Sequence, residues 1–253
     1  MLSGRSATPI TGDPDRRTAT TVGVLFIIAT VVYLVGGAIY APALASSDYL
    51  EHAYPDRDTA TLGVLIEFAC VVSIPLIAVF LFPLLRRTSE ALAVAYVGFR
   101  ALEAMFLFGI EAKLLSLIDV SEDYLNASGA DAARMAAAGD TIYSEIDAAF
   151  LIYVLLFGVG ALFLYSLLYR SNLVPHFLSI WGFGAAVWML AGMAGVMFDL
   201  FSGMSDSLVE ALIVTPIAIN EMVLAGWLIA KGFDRSAASA APSSEVIRPS
   251  APA

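Results

Sequence analysis

Leu65 to Arg87 reads LIEFACVVSIPLIAVFLFPLLRR. After Glu67 the segment carries no charge until Arg86 and Arg87 close it. Wound as a helix, Phe68 to Leu85 is roughly 27 Å long at 1.5 Å per residue, close to the ~30 Å hydrocarbon core of a bilayer. A basic pair directly after such a segment fits a membrane–water boundary. Pro75 predicts a bend partway along.

Five other segments have the same character. The spans predicted from hydropathy are Thr20 to Tyr40, Thr59 to Leu85, Ala91 to Ile118, Ile142 to Tyr169, Val174 to Phe198 and Leu208 to Ala230. Polar or Pro/Gly residues separate each from the next. Composition agrees: 59% of the 253 residues are hydrophobic and 14% charged, against about 25% charged in soluble domains, and the mean hydropathy is +0.82. The fold class that follows is all-α, a polytopic bundle of six transmembrane helices. Its partner is the lipid bilayer of the cell membrane. No basic cluster interleaved with aromatic residues offers itself to nucleic acid, despite a net charge of −10. The single cysteine, Cys70, allows neither an internal disulfide nor a thiolate metal site.

Lys and Arg placement orients the spans. With the N-terminus in the cytoplasm, the inner segments hold Arg5, Arg16, Arg17, Arg86, Arg87, Arg170, Lys231, Arg235 and Arg248, and the outer loops only Arg57 and Arg134. Both termini are therefore expected inside. The outer loops are acidic, with Asp48, Glu51, Asp56 and Asp58 in the first and Asp119, Glu122, Asp123, Asp131 and Asp140 in the second. Asp199 and Asp206 lie in the third. Acids are tolerated where Lys and Arg are excluded, so this needs no cation vestibule. The division expected is a polar tail over 1–17, a transmembrane domain over 18–233, and an Ala/Ser/Pro tail over 234–253 without an apolar face to bury. The first span, about 20 residues, exceeds the ~7–15 of a signal-peptide core, so it reads as retained. In the long second outer loop, Ala130 to Ala138 predicts a short surface helix.

Charges inside spans carry the functional reading, because a charge at the centre of a membrane helix costs about 2.5–3.5 kcal/mol and needs protein or water to face. Arg100 and Glu103 lie mid-way along the third span, three residues apart and so on one helix face. Asn220 and Glu221 reach a similar depth in the sixth, one turn after Pro216, which frees the Leu212 carbonyl and predicts a kink. Glu67 lies in the outer half of the second span. Glu111 continues the Glu103 face, and Lys113 lies near the outer end, where it can reach water. Glu145 and Asp147 start the fourth span. Fully ionised, Glu67, Glu103 and Glu221 against Arg100 would leave two uncompensated negative charges. If the helices bring them together, at least one acid holds a proton or a cation shares the site. The functional reading is a site for a proton, cation or small solute. The structural one is an ion pair with hydrogen bonds that fixes helix packing.

Enzyme signatures are sparse. His52 and His176 are outside any His-Glu-x-x-His pattern, and no span holds a Gly-x-Ser-x-Gly segment. No cofactor is implied. Gly158 to Gly160 and Gly192 to Gly195 suit close helix packing rather than phosphate cradling. Trp181, Trp188 and Trp227 read as packing or interface residues.

Four strings besides resemble one family: Leu65 to Arg87 above, ALAVAYVGFRALEA from Ala91 to Ala104, LLYRSNLVPHFLSIWG from Leu167 to Gly182, and PIAINEMVLAGWLIAKGF from Pro216 to Phe233. With SEDYLNASGADAA, Ser121 to Ala133, they resemble the prokaryotic membrane proteins grouped as domain of unknown function 4386. The resemblance covers about Val22 to Phe233. It implies a six-helix integral membrane protein without an established activity, and its charged positions here are Glu67, Arg100, Glu103, Asn220 and Glu221. Two function classes follow. One is a transport or permeation module. The other is a sensory, regulatory or accessory membrane subunit, working with a protein partner or as a homo-oligomer, whose buried charges are structural.

Overall fold

In lipid a backbone must satisfy its own hydrogen bonds, so long apolar runs fold as helices or close into barrels. Here they fold as helices. The computed structural model describes residues 14–234. The two tails, with Arg5, Arg235 and Arg248, lie wholly or mostly outside the described residues. The elements are α1 (Pro14–Leu44), α2 (Tyr49–His52), α3 (Arg57–Leu85), α4 (Glu90–Asn126), α5 (Ala130–Ser171), α6 (His176–Met197) and α7 (Asp206–Ala230), with no strand among the described residues. All but α2 are long and apolar enough to cross a membrane.

The predicted outer loop from Asp119 to Asp140 is mostly helix. Helix α4 runs on to Asn126 and α5 begins at Ala130, so only residues 127–129 connect them. The stretch from Ala130 to Ala138 is the first part of α5, not a separate surface helix. The reason is local: this stretch is alanine-rich with high helix propensity, and nothing after it breaks the helix before the left-handed Asn172, φ 54°.

The six long helices form a closed ring in chain order. Each packs on the next, α1 on α3, α3 on α4, and so through α5 and α6 to α7, which returns to pack on α1. Arg16 fastens that closure. Its guanidinium donates to the carbonyls of Leu228 at 3.3 Å, Ile229 at 2.7 Å and Ala230 at 3.3 Å, placing a cation at the C-terminal, negative end of the α7 dipole. The start of α1 and the end of α7 therefore lie at one end of the bundle. At the other end α2 docks on α4: the Tyr54 amide donates to Ser121 Oγ at 3.0 Å, and that hydroxyl donates to the Leu50 carbonyl at 2.8 Å.

Surface and interior are inverted relative to a soluble protein. Met105 is 68% exposed and Leu65 62%, whereas Arg100 is 4% exposed and Glu103 2%. Apolar side chains look outward and charges inward, as expected for a multi-pass membrane protein whose solvent is lipid. Pro216 leaves the Leu212 carbonyl without its helical donor, and the Trp188 indole of α6 supplies one at 3.0 Å. That tryptophan thus bonds the two helices where the sequence predicts a kink.

Helices α1 and α3 meet through reciprocal glycines. A Cβ on Gly36 would stand 2.6 Å from the Gly63 carbonyl oxygen, and one on Gly63 would stand 2.8 Å from the Gly36 carbonyl oxygen. Both neighbours are backbone, so neither can step aside. We expect Gly36→Ala to lower stability by about 1–3 kcal/mol, the usual cost of overpacking, read as a lower Tm in detergent. Gly37→Ala, whose Cβ would meet only the Tyr40 hydroxyl at 3.8 Å, should leave Tm unchanged.

Candidate functional site

Arg100 and Glu103 sit one turn apart on the inward face of α4, and the 1.5 Å rise and 3.6-residue turn of the helix bring their side chains together. Arg100 Nη1 stands 3.0 Å from Glu103 Oε2. The contact is ionic and not an aligned hydrogen bond, since Glu103 Oε2 and Arg100 Nε both lack a hydrogen-bond partner among the described residues. The guanidinium carbon lies 5.5 Å from the centre of the Phe157 ring of α5, a cation–π contact.

Glu221 of α7 faces the same place. With Arg100 and Glu103 it lines a cavity of about 170 Å³ bordered by α1, α3, α4, α5 and α7. Tyr33 of α1, Cys70 of α3 and Tyr153 of α5 line it too. Glu210, exposed near the start of α7, lines its far end. From Glu210 to Glu221 is roughly 16 Å along a helix, so the cavity is a narrow crevice running along α7. Two further hydroxyls approach the charged end: Tyr96, one turn before Arg100, and Tyr165 of α5, both almost wholly buried and both without a hydrogen-bond partner among the described residues.

The structure therefore brings three of the predicted residues together, Arg100, Glu103 and Glu221, and separates the others. Asn220 is adjacent to Glu221 but about 100° round the helix. Its amide donates to the Leu178 carbonyl of α6 at 3.1 Å, which makes it a contact between helices outside the cavity. Glu67 does not line the cavity either; its backbone packs against Gly36 of α1, one turn before Tyr40. Lys113 leaves this group and pairs with Glu145 of α5 near the surface. Sequence reasoning did not single out Tyr33, Tyr96, Tyr153, Tyr165 and Glu210. A mid-span Tyr four residues before a mid-span Arg was the available signal for Tyr96. The others become visible only once the ring order is known.

Among the described residues, no group of three or more His, Cys, Asp or Glu side chains is placed to hold a metal ion. The family model described as "Domain of unknown function (DUF4386)" matches residues 21–232. The chain belongs to that family. No curated protein and no solved structure matches it. For this DUF4386 member, the matched region contains every residue that lines the cavity, both members of its ion pair included.

Breaking a buried pair by removing one partner typically costs 3–5 kcal/mol, whereas replacing both by apolar groups is often near neutral. We expect Arg100→Met to lower the Tm in detergent strongly and Arg100→Met with Glu103→Met to recover much of it. A double variant no more stable than the single one would show that the two side chains are not coupled.

Proposed function

We propose that the protein is a transport or permeation module of the cell membrane, carrying a proton, another cation or a small solute by way of the crevice at Arg100, Glu103 and Glu221. One observation carries the reading: charged groups from two helices face a common cavity and leave polar atoms unused. Arg100 Nε has no hydrogen-bond partner among the described residues, Glu103 Oε2 has only its ionic contact with Arg100, and Glu221 lines the cavity without belonging to the Arg100–Glu103 pair. A purely structural cluster would be expected to satisfy its own donors and acceptors. The formal charge of Arg100, Glu103, Glu210 and Glu221 is negative when all are ionised, which favours a cationic cargo.

Orientation belongs to the same proposal. Arg16, Arg17, Arg86, Arg87, Arg170 and Lys231 flank the helix termini at the end where α1 starts and α7 stops. By the positive-inside rule that end meets the cytoplasm, and Glu210 lies toward the outer face. A second reading, an accessory subunit, draws on the pairing of Arg100 with a residue of its own helix, which suits a packing role.

Reconstitution in proteoliposomes separates the two. The transport reading expects flux of protons or small cations from the protein alone. It expects Glu221→Gln to reduce that flux to the level of empty vesicles with helical content and monodispersity unchanged. Flux that survives Glu221→Gln would remove the crevice from the pathway. A silent wild-type protein that purifies with a stoichiometric partner would favour the accessory subunit.

A further inference from the structure

Between α1, α3 and α4, nearer the acidic end of the bundle, Glu67 and Glu111 are each 2% exposed. No cation among the described residues pairs with them: the two basic side chains closest along α4, Arg100 and Lys113, are paired with Glu103 and Glu145. Glu67 Oε2 and Glu111 Oε1 have no hydrogen-bond partner among the described residues. Gly36, one turn before Tyr40 on α1, packs against the Glu67 backbone, and the residues flanking the two acids pack together across α3 and α4, Val64 with Ile110 and Leu114 on one side and Cys70 and Ile74 with Leu107 on the other. The backbone holds this arrangement, since α3 approaches α1 at Gly36, where a Cβ would meet the Glu67 amide nitrogen at 2.8 Å.

An apolar layer divides this pair from the central cavity. It consists of Ala29, Cys70, Ile74, Ala104 and Leu107, with Tyr33 and Tyr153 packed against it. Leu107 lies one turn from both Glu103 and Glu111 on α4, and Glu103 to Glu111 is roughly 12 Å along the helix. On α1, Tyr40 and Tyr33 are two turns apart on one face. Tyr33 and Tyr153 reach past the layer into the cavity that holds Arg100, Glu103 and Glu221.

We propose that Glu67, Glu111 and Tyr40 form a second proton-binding station in which the two carboxyls share one proton, handed to and from the central cluster through the hydroxyls of Tyr33 and Tyr153. This rests on the transport reading above and narrows its cargo to the proton. Two like carboxylates in low dielectric without a cation favour one proton between them. A resident metal is disfavoured because two carboxyls and a phenol offer at most about five oxygens, short of the ~6–8 that a hard cation such as Ca²⁺ takes. No covalent bond changes beyond O–H: each hydroxyl accepts a proton on its oxygen and releases its own to the next group. The groups facing the pair are Tyr40 and Tyr33 from α1 and Cys70 from its own helix α3. Beyond the apolar layer come Arg100, Glu103 and Tyr153.

The test uses full-length protein in lipid nanodiscs at neutral pH, with infrared spectra in H₂O and D₂O and proton flux in proteoliposomes. A deuterium-sensitive band of a protonated carboxyl is expected in wild type, retained in Glu221→Gln and lost from the double variant Glu67→Gln with Glu111→Gln. Tyr33→Phe should keep the band and slow the flux. A double variant with the wild-type band would overturn the shared proton. Flux stopped by Glu221→Gln but indifferent to the double variant and to Tyr33→Phe would keep the central site and remove the second station. Absence of wild-type flux would remove the transport reading and the hand-on together, with the band still deciding whether the carboxyls share a proton.

Discussion

A guanidinium deep in a bilayer must be neutralised from within the protein, because lipid offers neither water nor counter-ions. Arg100 imposes that demand here. Glu103 answers it from one turn away on the same helix, Phe157 offers its ring face, and Glu221 arrives from the far end of the chain. For Glu221 to arrive, the last long helix must return to the first, and so closure of the ring matters as much as the ion pair. The Arg16 guanidinium on the final carbonyls of α7 holds that closure, and α1 comes close to α7 again at Gly23, where a Cβ would stand 2.7 Å from the Ala225 carbonyl oxygen.

Buried charge among the described residues lies in two places. One is the crevice with Arg100, where charge of both signs is present. The other is the pair of Glu67 and Glu111, where only acids meet. The layer around Leu107 keeps the two apart, and tyrosines from α1 and α5 pack against it and line the crevice beyond. Phenols suit this position because their rings pack in the apolar layer while their hydroxyls remain available as both donor and acceptor. A layered interior of this kind explains why the carboxyls do not collapse into a single cluster around one arginine.

Much of the fold could be read from the chain. Each span announces itself by length and hydropathy, and the spacing of Arg100 and Glu103 fixes their pairing before any tertiary contact is known. Pro216 announced a freed carbonyl, though not that Trp188 would bond to it. What could not be read is rotation. Asn220 and Glu221 are adjacent in sequence, yet a helix turns about 100° per residue, so one meets α6 and the other the crevice. Glu67 was equally undetermined: its depth was legible, but its partner depended on which helices became neighbours. The second outer loop failed for a different reason. Hydropathy marks where a helix leaves lipid and not where it ends, and the alanine-rich start of α5 continues well past that boundary.

The convergence of α4 and α7 on one crevice is the claim on which the functional account stands, and nuclear magnetic resonance of the Arg100 guanidinium tests it most directly. The Nε–H signal, assigned by its loss in Arg100→Lys, is recorded in nanodiscs for wild type, Glu221→Gln and Glu67→Gln. A clear shift on Glu221→Gln with little change on Glu67→Gln is the expected result. A signal indifferent to residue 221, or equally sensitive to both, would contradict the shared crevice.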